Sequence, residues 1–350
     1  MSYIVLMNQQ SCSSQRFKKA FPLLQVIPME ESKLQAFVPV QEVFVPNIMV
    51  FGAGGAGGNV VTRMVTEGIQ HVKMVICNTD QKALNRNKAD IKIEMGREVT
   101  RGMGAGARPE VGQNAAEEST SQIEKVIRGA NMVFIAAGMG GGTGTGAAPV
   151  IARIAKSLKI LTVGIVTLPF KFEGKRRMKI AQQGVGQMRE YTDTLLVIPN
   201  DKLYDVSTQK TSLIEAFQMV DTVLMNAIQG VTDLVNGVGD INLDFADVQT
   251  VMEGMGKAVI GKGSAVGKDR MNLAMNHAIQ SSLMEDSDIR GAKGILVHVE
   301  GPEDTSAFEI TEAMSMIEDV ADEDVNLIWG ATFSKSAGER VSITIIATGL

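Results

Sequence analysis

The segment Gly138-Met-Gly-Gly-Gly-Thr-Gly-Thr-Gly146 limits the possible folds of this chain more than any other segment. It contains six glycines in nine residues and follows an apolar run, Met132–Ala137, that is typical of a buried strand. Such a flexible loop is costly in chain entropy unless it has a purpose. Glycines let the backbone approach a ligand closely, and the helix predicted for Ala147–Leu158 would favour an anion at its N-terminus. The segment therefore predicts a phosphate-binding loop, although no lysine follows the glycines as it does in a P-loop.

Two further glycine-rich loops also follow apolar runs. Gly52–Gly58 comes after Ile48–Phe51, and Gly102–Ala107 comes after Ile91–Met95. Taken alone, Gly52–Gly58 fits a dinucleotide-binding turn, or a tight strand-to-helix turn with no ligand. Three such loops at one sheet edge favour a triphosphate over a dinucleotide.

The order of predicted elements indicates an α/β fold. Strands and helices alternate from Asn47 to Ile198, with one helix predicted for Pro109–Arg128, which implies parallel strands covered by helices on both faces. Ligands of such sheets bind beyond the carboxyl ends of the strands. Thr211–Asn236 predicts one long central helix, and the remainder predicts a second, smaller α/β domain. The expected parts are residues 47–210, 211–236 and 237–350.

Composition excludes several classes of protein. The 350 residues carry a formal net charge of −5, and the pI near 5.4 argues against general affinity for nucleic acid. Cys12 and Cys77 form no framework, which suits a reducing cytoplasm. His71, His277 and His298 are dispersed, so no His-rich metal site is expected. No apolar run approaches the roughly 18–20 residues that a membrane-spanning helix needs.

Residues 1–46 differ from the rest of the chain. They hold four of the nine prolines and show no sustained period, and residues 1–29 contain no acidic side chain. A flexible extension is the simplest interpretation. An organelle transit peptide, for which Cys12–Lys19 has some of the character, a docking arm and a misassigned start are the alternatives.

Several motifs together resemble the tubulin/FtsZ family. Gly140–Gly146 resembles the tubulin signature, and Ala136–Pro149 is similar to bacterial-type FtsZ at almost every position. The resemblance covers about residues 47–350 and implies the tubulin/FtsZ fold, with a Rossmann-like GTPase domain joined by a long central helix to a smaller domain. The other matching segments are Asn78–Asp80, Pro169–Gly174, Ile198–Leu203 and Asn242–Val248.

The resemblance implies a GTP/GDP site. The phosphate contacts it implies come from all three glycine loops; they are Gly54, Gly55, Gly57, Asn59, Gly104, Ala105, Gly106, Ala107, Gly140, Gly141, Gly142, Thr143, Gly144 and Thr145. Glu173 and Arg177 match the ribose contacts of the family, although a pair spaced i,i+4 is also typical of a surface ion pair.

The resemblance also implies residues that read the base. Asp221 matches the carboxylate that accepts the N1–H and N2–H groups of guanine, which adenine does not offer together. Phe217, four residues earlier, would stack on the base, and Asn200 matches another base contact. From the residues alone, Phe217 would be assigned to the core and Asp221 to solvent.

The catalytic residues implied by the resemblance are Asp244 and Asp247, which would activate water, and Asn242, which would orient them. From the residues alone, Asp244 and Asp247 resemble a capping box at a helix N-terminus. Carboxylates in a triphosphate pocket would repel the phosphates. In the family, the acidic loop of one subunit docks onto the nucleotide of the next, so the expected partner is a second copy of this chain.

The resulting expectation is a cytoplasmic GTPase that polymerises at the division site. Magnesium is expected to bind through the phosphates, without direct protein ligands. Bacterial-type relatives usually continue into a tail that binds membrane tethers, and because this sequence stops at Leu350, such tethering is in doubt. The alternatives are a nucleotide-binding filament protein without turnover, and an NAD-dependent oxidoreductase that rests on Gly52–Gly58 alone.

Overall fold

The computed structural model describes residues 45–203, 211–235, 240–241, 243–281 and 289–350. Nearly all of the predicted extension (residues 1–44 of 1–46) lies outside the described residues, as do Asn242 and Asn236. The described residues form one α/β unit on a continuous ten-stranded sheet.

The strands of this sheet are β1 (Ile48–Ala53), β2 (Val72–Asn78), β3 (Ile91–Glu94), β4 (Met132–Gly138), β5 (Leu161–Leu168), β6 (Thr194–Pro199), β7 (Gly256–Val266), β8 (Gly294–Gly301), β9 (Asn326–Phe333) and β10 (Arg340–Thr348).

The helices of the described residues are α1 (Gly54–Thr66), α2 (Gln81–Arg86), α3 (Arg97–Thr100), α4 (Pro109–Glu118), α5 (Thr120–Ile127), α6 (Thr143–Ser157), α7 (Lys175–Tyr191), α8 (Leu213–Val235), α9 (Phe245–Met252), α10 (Arg270–Ile279) and α11 (Ala307–Glu318).

The first six strands form the predicted parallel sheet. Their order is β3-β2-β1-β4-β5-β6, and every neighbouring pair among them is parallel. The chain proceeds from β1 outward in one direction and from β4 outward in the other, so the order reverses between these two strands. Ligands of open α/β sheets bind at such a reversal, beyond the carboxyl ends of the strands.

Strand β1 is buried on both faces, as a central strand of a parallel sheet should be. Ile48 and Val50 belong to a core shared with α1 and α8. Met49 and Phe51 belong to a second core, shared with α4, α5 and α6. The alternating side chains of one strand thus connect two helical layers.

The predicted second part is also α/β, but its strands continue the same sheet. Strand β10 pairs antiparallel with both β7 and β8, and β8 pairs in parallel with β9. Strand β7 joins the first part through three parallel pairs with β6, at Thr194–Leu196. A third core lies around β8 and β10.

The predicted central helix is confirmed as α8, which has 23 residues. Its buried side chains share one core with Leu296 of β8 and Ile346 of β10. Neither α8 nor any other helix in the described part of the chain is long and apolar enough to span a membrane.

Helix boundaries differ from the sequence-based predictions. Helices α1 and α6 begin at Gly54 and Thr143, inside the predicted loops. The single helix predicted for Pro109–Arg128 is wrong: it is broken at Ser119, whose Oγ accepts a hydrogen bond from the backbone N–H of Gly96. That partner lies 23 residues away, so local periodicity could not have indicated the break.

The predicted capping box at α9 is also wrong. Asp244 is the N-cap residue, but its side chain accepts no capping hydrogen bond. A complete capping box is present at α11, where the Ser306 hydroxyl accepts from the N–H of Glu309 and the Glu309 carboxylate accepts from the N–H of Ser306. The Asp244 carboxylate therefore makes no capping hydrogen bond, and only its charge can stabilise the N-terminus of α9.

We expect Gly146→Ala to lower the free energy of unfolding by about 1–3 kcal/mol, because overpacked interiors strain their surroundings. A Cβ at Gly146 would overlap the carbonyl oxygen of Pro109 and the amide nitrogen of Gln113, both backbone atoms. The control is Gly186→Ala on α7, where no atom lies within 4 Å of the new methyl group. It should stabilise the protein by about 0.4–1 kcal/mol. Denaturant titration without nucleotide measures both, and equal stabilities would contradict the packing described here.

Candidate functional site

The loops Gly52–Gly58 and Gly138–Gly146 meet at the reversal of strand order between β1 and β4. A Cβ on Gly54 would lie only 2.8 Å from the backbone nitrogen of Gly144, and Gly54 has a positive φ of 72°. The hydroxyl oxygens of Thr79 and Thr143 lie 2.7 Å apart, which ties the end of β2 to the same place. The predicted convergence of loops at one sheet edge is therefore confirmed.

Two helix N-termini point into this edge without side-chain caps. Helix α1 begins after Ala53 and α6 begins after Gly142, and neither residue supplies a capping hydrogen bond. The first backbone N–H groups of a helix have no partner within the helix, and the helix dipole favours negative charge there. The edge therefore presents a concentration of unpaired donors suited to phosphate.

The loop Gly102–Ala107 packs directly against the loop Gly138–Gly146. A Cβ on Gly142 would lie 2.8 Å from the backbone nitrogen of Arg108 and 2.9 Å from the Cβ of Ala105. Gly104, Gly106 and Ala107 all have positive φ values. Because an alanine rarely adopts the left-handed region, the φ of 57° at Ala107 is a local strain of the kind that clusters at ligand sites.

A cavity of about 470 Å³ lies between these loops and α7. The predicted residues that line it are Gly106, Ala107, Gly140, Gly141, Gly142, Glu173 and Arg177. Arg108 and Arg176 line it as well, and the sequence analysis missed both. Arg108 directly follows Ala107, and Arg176 directly precedes Arg177. A basic residue next to a predicted site residue is therefore the sequence signal that could have indicated both.

Predicted residues from the loop Gly52–Gly58, and Asn59 directly after it, line a separate cavity of about 330 Å³. It contains Gly54, Gly55 and Asn59, together with Asn78 and Arg86. Gly54, which lines this cavity, is the residue that closely approaches the backbone of Gly144. Arg86 is another cation that the sequence analysis did not select.

Three predicted contacts support the loops rather than face the cavity. Gly57 is buried, and a Cβ there would overlap the carbonyl oxygen of Ala136. A Cβ on Gly144 would lie 2.7 Å from the carbonyl oxygen of Gly138. Thr145 is 2% exposed, and its Oγ accepts from the N–H of Gly140 at 2.9 Å. These positions hold the backbone that carries the donors.

Glu173 and Arg177 form the ion pair that their spacing allowed, with 2.9 Å between Nη1 and Oε2. The other carboxylate oxygen of Glu173 accepts from the N–H of Phe170 at 2.9 Å. Since both residues also line the larger cavity, the ion-pair and ribose-contact interpretations are compatible.

An aromatic group connects this ion pair to α8. Phe217 is 39% exposed and packs edge-on against Phe170, with ring centroids 5.3 Å apart. Phe170 also stacks on Phe172 at 5.0 Å. Phe217 is therefore not the core residue that its type alone indicates. Asn200 is 5% exposed and its Oδ1 has no hydrogen-bond partner, and a buried acceptor of this kind gains free energy when a ligand donor pairs with it.

Asp221 lies one helical turn beyond Phe217, at the contact between α8 and α1. Arg63 of α1 donates to the carbonyl oxygen of Gln218 at 3.3 Å. Burial raises the pKa of the Asp221 carboxyl to about 6, and the charge of Arg63 opposes the rise. Asp221 is therefore half-buried rather than solvated, and ionising it is costly in the free protein.

The acidic pair Asp244 and Asp247 lies elsewhere. Both side chains are exposed, and neither is among the residues that line the two cavities. They follow the far end of α8, and from Phe217 to Val235 that helix advances about 27 Å, at roughly 1.5 Å per residue. Asn242, the third predicted catalytic residue, lies outside the described residues.

Comparisons with known proteins identify the family. Residues 47–208 match the model of the tubulin/FtsZ family GTPase domain, and residues 256–350 match that of the FtsZ family C-terminal domain. The structure is similar to an empty FtsZ dimer from M. jannaschii at 43% identity and a TM-score of 0.84, covering 92% of this chain and 93% of that one.

Two more distant structures share the fold. CetZ2 from Haloferax volcanii, solved as a GTPγS-bound protofilament, is 21% identical with a TM-score of 0.74, and 86% of this chain and 92% of that one are covered. CetZ1 from the same organism, solved as a GDP-bound monomer, is 23% identical with a TM-score of 0.75, with 87% and 94% covered.

We expect Asp221→Asn to stabilise the nucleotide-free protein near neutral pH. The folded-state pKa near 6 exceeds the unfolded value of about 4, so the parent loses stability as pH rises through this window, while the amide does not titrate. The gain should therefore be present at pH 7.5 and vanish toward pH 4. Denaturant titration at several pH values measures it, with Asp324→Asn, at an exposed position, as the control. A pH-independent difference would contradict the burial cost.

Proposed function

This chain belongs to the tubulin/FtsZ family of GTPases, and we propose that its subunits associate head to tail and hydrolyse GTP at the contact between them. The family membership leaves the oxidoreductase alternative without support, since that alternative rested on Gly52–Gly58 alone.

The observation that carries the proposal is the separation of two functional groups along α8. Near one end, Phe217 packs on Phe170, whose backbone N–H donates to Glu173 of the larger cavity. Asp244 and Asp247 follow the opposite end of the helix. A rigid, buried helix of this length keeps the two groups apart within one molecule. A second copy, stacked so that its acidic loop meets the cavity of the first, brings them together.

In the proposed complex, the unpaired N–H groups of α1 and α6 bind the phosphates. The cavity walls add the guanidinium groups of Arg108, Arg176 and Arg177, which offset phosphate charge and donate in planar, paired geometry. Glu173 and Arg177 would bind the ribose. Asp221 and Asn200 would accept the N–H groups of guanine, with Phe217 against the base.

The side chains that line the larger cavity fit a magnesium ion that is bound through the phosphate oxygens of the nucleotide. Among the described residues that line the larger cavity, Glu173 is the sole carboxylate, and its oxygens are engaged by Arg177 and by the N–H of Phe170. When bound with the nucleotide, Mg²⁺ supplies positive charge that offsets the charge developing in phosphoryl transfer.

The exposed carboxylates of Asp244 and Asp247 are available to the neighbouring subunit. Asp244 makes no capping hydrogen bond that would have to be broken. Either carboxylate can take a proton from an attacking water, the work of a general base, and Asn242 would orient the water. A head-to-tail contact uses two different surfaces and need not close, so it generates filaments. We place these filaments in the cytoplasm, in the ring that divides the cell.

We expect GTP turnover with Mg²⁺ to rise steeply above a threshold protein concentration, because each complete site needs two subunits. Phosphate release and light scattering, followed together over a dilution series, measure turnover and assembly. Turnover proportional to protein from the lowest concentrations would overturn the shared site. Assembly without phosphate release would favour the filament protein without turnover.

We expect Asp247→Ala to bind GTP normally while turnover falls on the order of 10²-fold or more, as for the loss of a positioned acid–base group. Filaments should persist longer, since hydrolysis removes a phosphate at the contact. Nucleotide affinity from a fluorescent analogue and phosphate release separate the two effects.

The reciprocal variant is Asp221→Ala, which should weaken GTP binding and leave the fold intact. If Asp247→Ala lost nucleotide affinity, the division of the site between two subunits would be wrong.

A further inference from the structure

A second cluster of polar side chains lies at the other end of α8 from the nucleotide residues. It comprises Asp233 of α8 with His298 and Glu300 of β8, and one ligand-type atom from each residue lies within 4.8 Å of the others. Because His298 and Glu300 are two apart on a strand, they share one face of the sheet. That face is turned toward α8, since a Cβ on Gly230 would meet Thr344, the partner of His298 in β10, at 3.5 Å.

The imidazole of His298 is buried and only half satisfied. Its side chain is 1% exposed, and Nε2 lies 3.1 Å from the hydroxyl oxygen of Thr332. Nδ1 is buried without a hydrogen-bond partner and lies 3.7 Å from Oε1 of Glu300. When Nε2–H donates to Thr332, the lone pair of Nδ1 faces the carboxylates, an arrangement that is repulsive unless a cation lies between them.

The two acidic side chains of the cluster lie close to this imidazole and to each other. Burial, together with the charge of Glu300, raises the pKa of Asp233 to about 6, against opposing effects of the Gln229 side chain and His71. Burial lowers the pKa of His298, which favours the neutral imidazole; Glu300 opposes the shift and Lys262 reinforces it. A neutral imidazole is the form that binds metals.

We propose that Asp233, Nδ1 of His298 and Glu300 bind one divalent transition-metal ion, with Zn²⁺ as the first choice. One imidazole and two carboxylates form a mixed N/O ligand set that suits Zn²⁺, whereas Mg²⁺ prefers oxygen ligands alone. Thr332 holds the other ring nitrogen, as the outer partners of metal-bound histidines do.

The surroundings leave room for water to complete the coordination. Asp233 and Glu300 line a cavity of about 510 Å³ together with Gln229, His71 and Thr332. The bound ion would join α8 to β8 directly, and so fasten the central helix to the second part of the sheet. This site is separate from the nucleotide cavity, and its occupancy does not depend on the proposed function.

Zinc titration of the chelator-treated, nucleotide-free chain of 350 residues tests the site by calorimetry. We expect one tight site per chain, with affinity at least about 10-fold weaker in Glu300→Gln. The side chain of Glu300 is 41% exposed, so that variant should fold. The matched control is Glu303→Gln, which removes an exposed carboxylate 3.9 Å from Lys335 and should bind Zn²⁺ like the parent.

A thermal readout distinguishes binding at this site from binding elsewhere. A ligand that binds the folded state raises the melting temperature, so Zn²⁺ should raise it for the parent and for Glu303→Gln, and less for Glu300→Gln. Absence of a tight zinc site in the parent would overturn the proposal, as would equal affinities in the two variants. Mg²⁺ binding as tightly as Zn²⁺ would overturn the role assigned to His298. His298→Gln, if it melts like the parent, should lose zinc affinity as well.

Discussion

The burial of α8 is the interaction on which the rest of the structure depends. Val220, Leu224, Ile228, Val231 and Leu234 of this helix are almost completely buried in one core. At about 1.5–3 kcal/mol for each aliphatic side chain, they contribute on the order of 10 kcal/mol, comparable to the net stability of a whole domain. The helix thereby fixes the positions of Phe217, Asp221 and Asp233. It also sets the separation between Phe217, near its beginning, and Asp244 and Asp247, which follow its end.

A second constraint acts where backbones touch. At Gly54, Gly142 and Gly144, a methyl group would collide with another segment of main chain. Phosphate binding by backbone N–H groups requires several chain segments to approach one small anion. Segments that converge on one anion also come close to one another, so the glycines serve packing as much as they serve the ligand. This explains why buried positions such as Gly57 carry the same residue type as exposed ones such as Gly55.

Much of the fold followed from the sequence, because buried parallel strands are continuous apolar runs such as Met132–Ala137. The errors arose where tertiary contacts override local preference. Glycine disfavours helix, so Gly52–Gly58 and Gly138–Gly146 are predicted as loops, yet Gly54 and Gly144 lie within α1 and α6.

The predicted site residues were brought together only in part. One cavity is lined by the predicted residues Gly106, Gly141, Glu173 and Arg177. Arg108 and Arg176 also line it, but they could not be predicted from periodicity, because a single basic residue near a loop belongs to no periodic pattern. The cluster around His298 was invisible for another reason. Its members are separated by 65 residues along the chain, at 233 and 298, and only the packing of α8 on β8 unites them.

The joint between the two parts of the sheet has a mechanical consequence. Strands β6 and β7 pair at only three positions, whereas β7 and β10 pair at nine. Hydrogen bonds are directional and resist displacement, but contacts between aliphatic side chains tolerate small shifts. The seam between β6 and β7 has few backbone pairs, and its aliphatic side chains, Leu196 and Ile198 of β6 and Ala258 and Ile260 of β7, belong to one core. A displacement of the two parts of the sheet relative to each other would therefore break fewer backbone pairs at this seam than a displacement of β7 relative to β10.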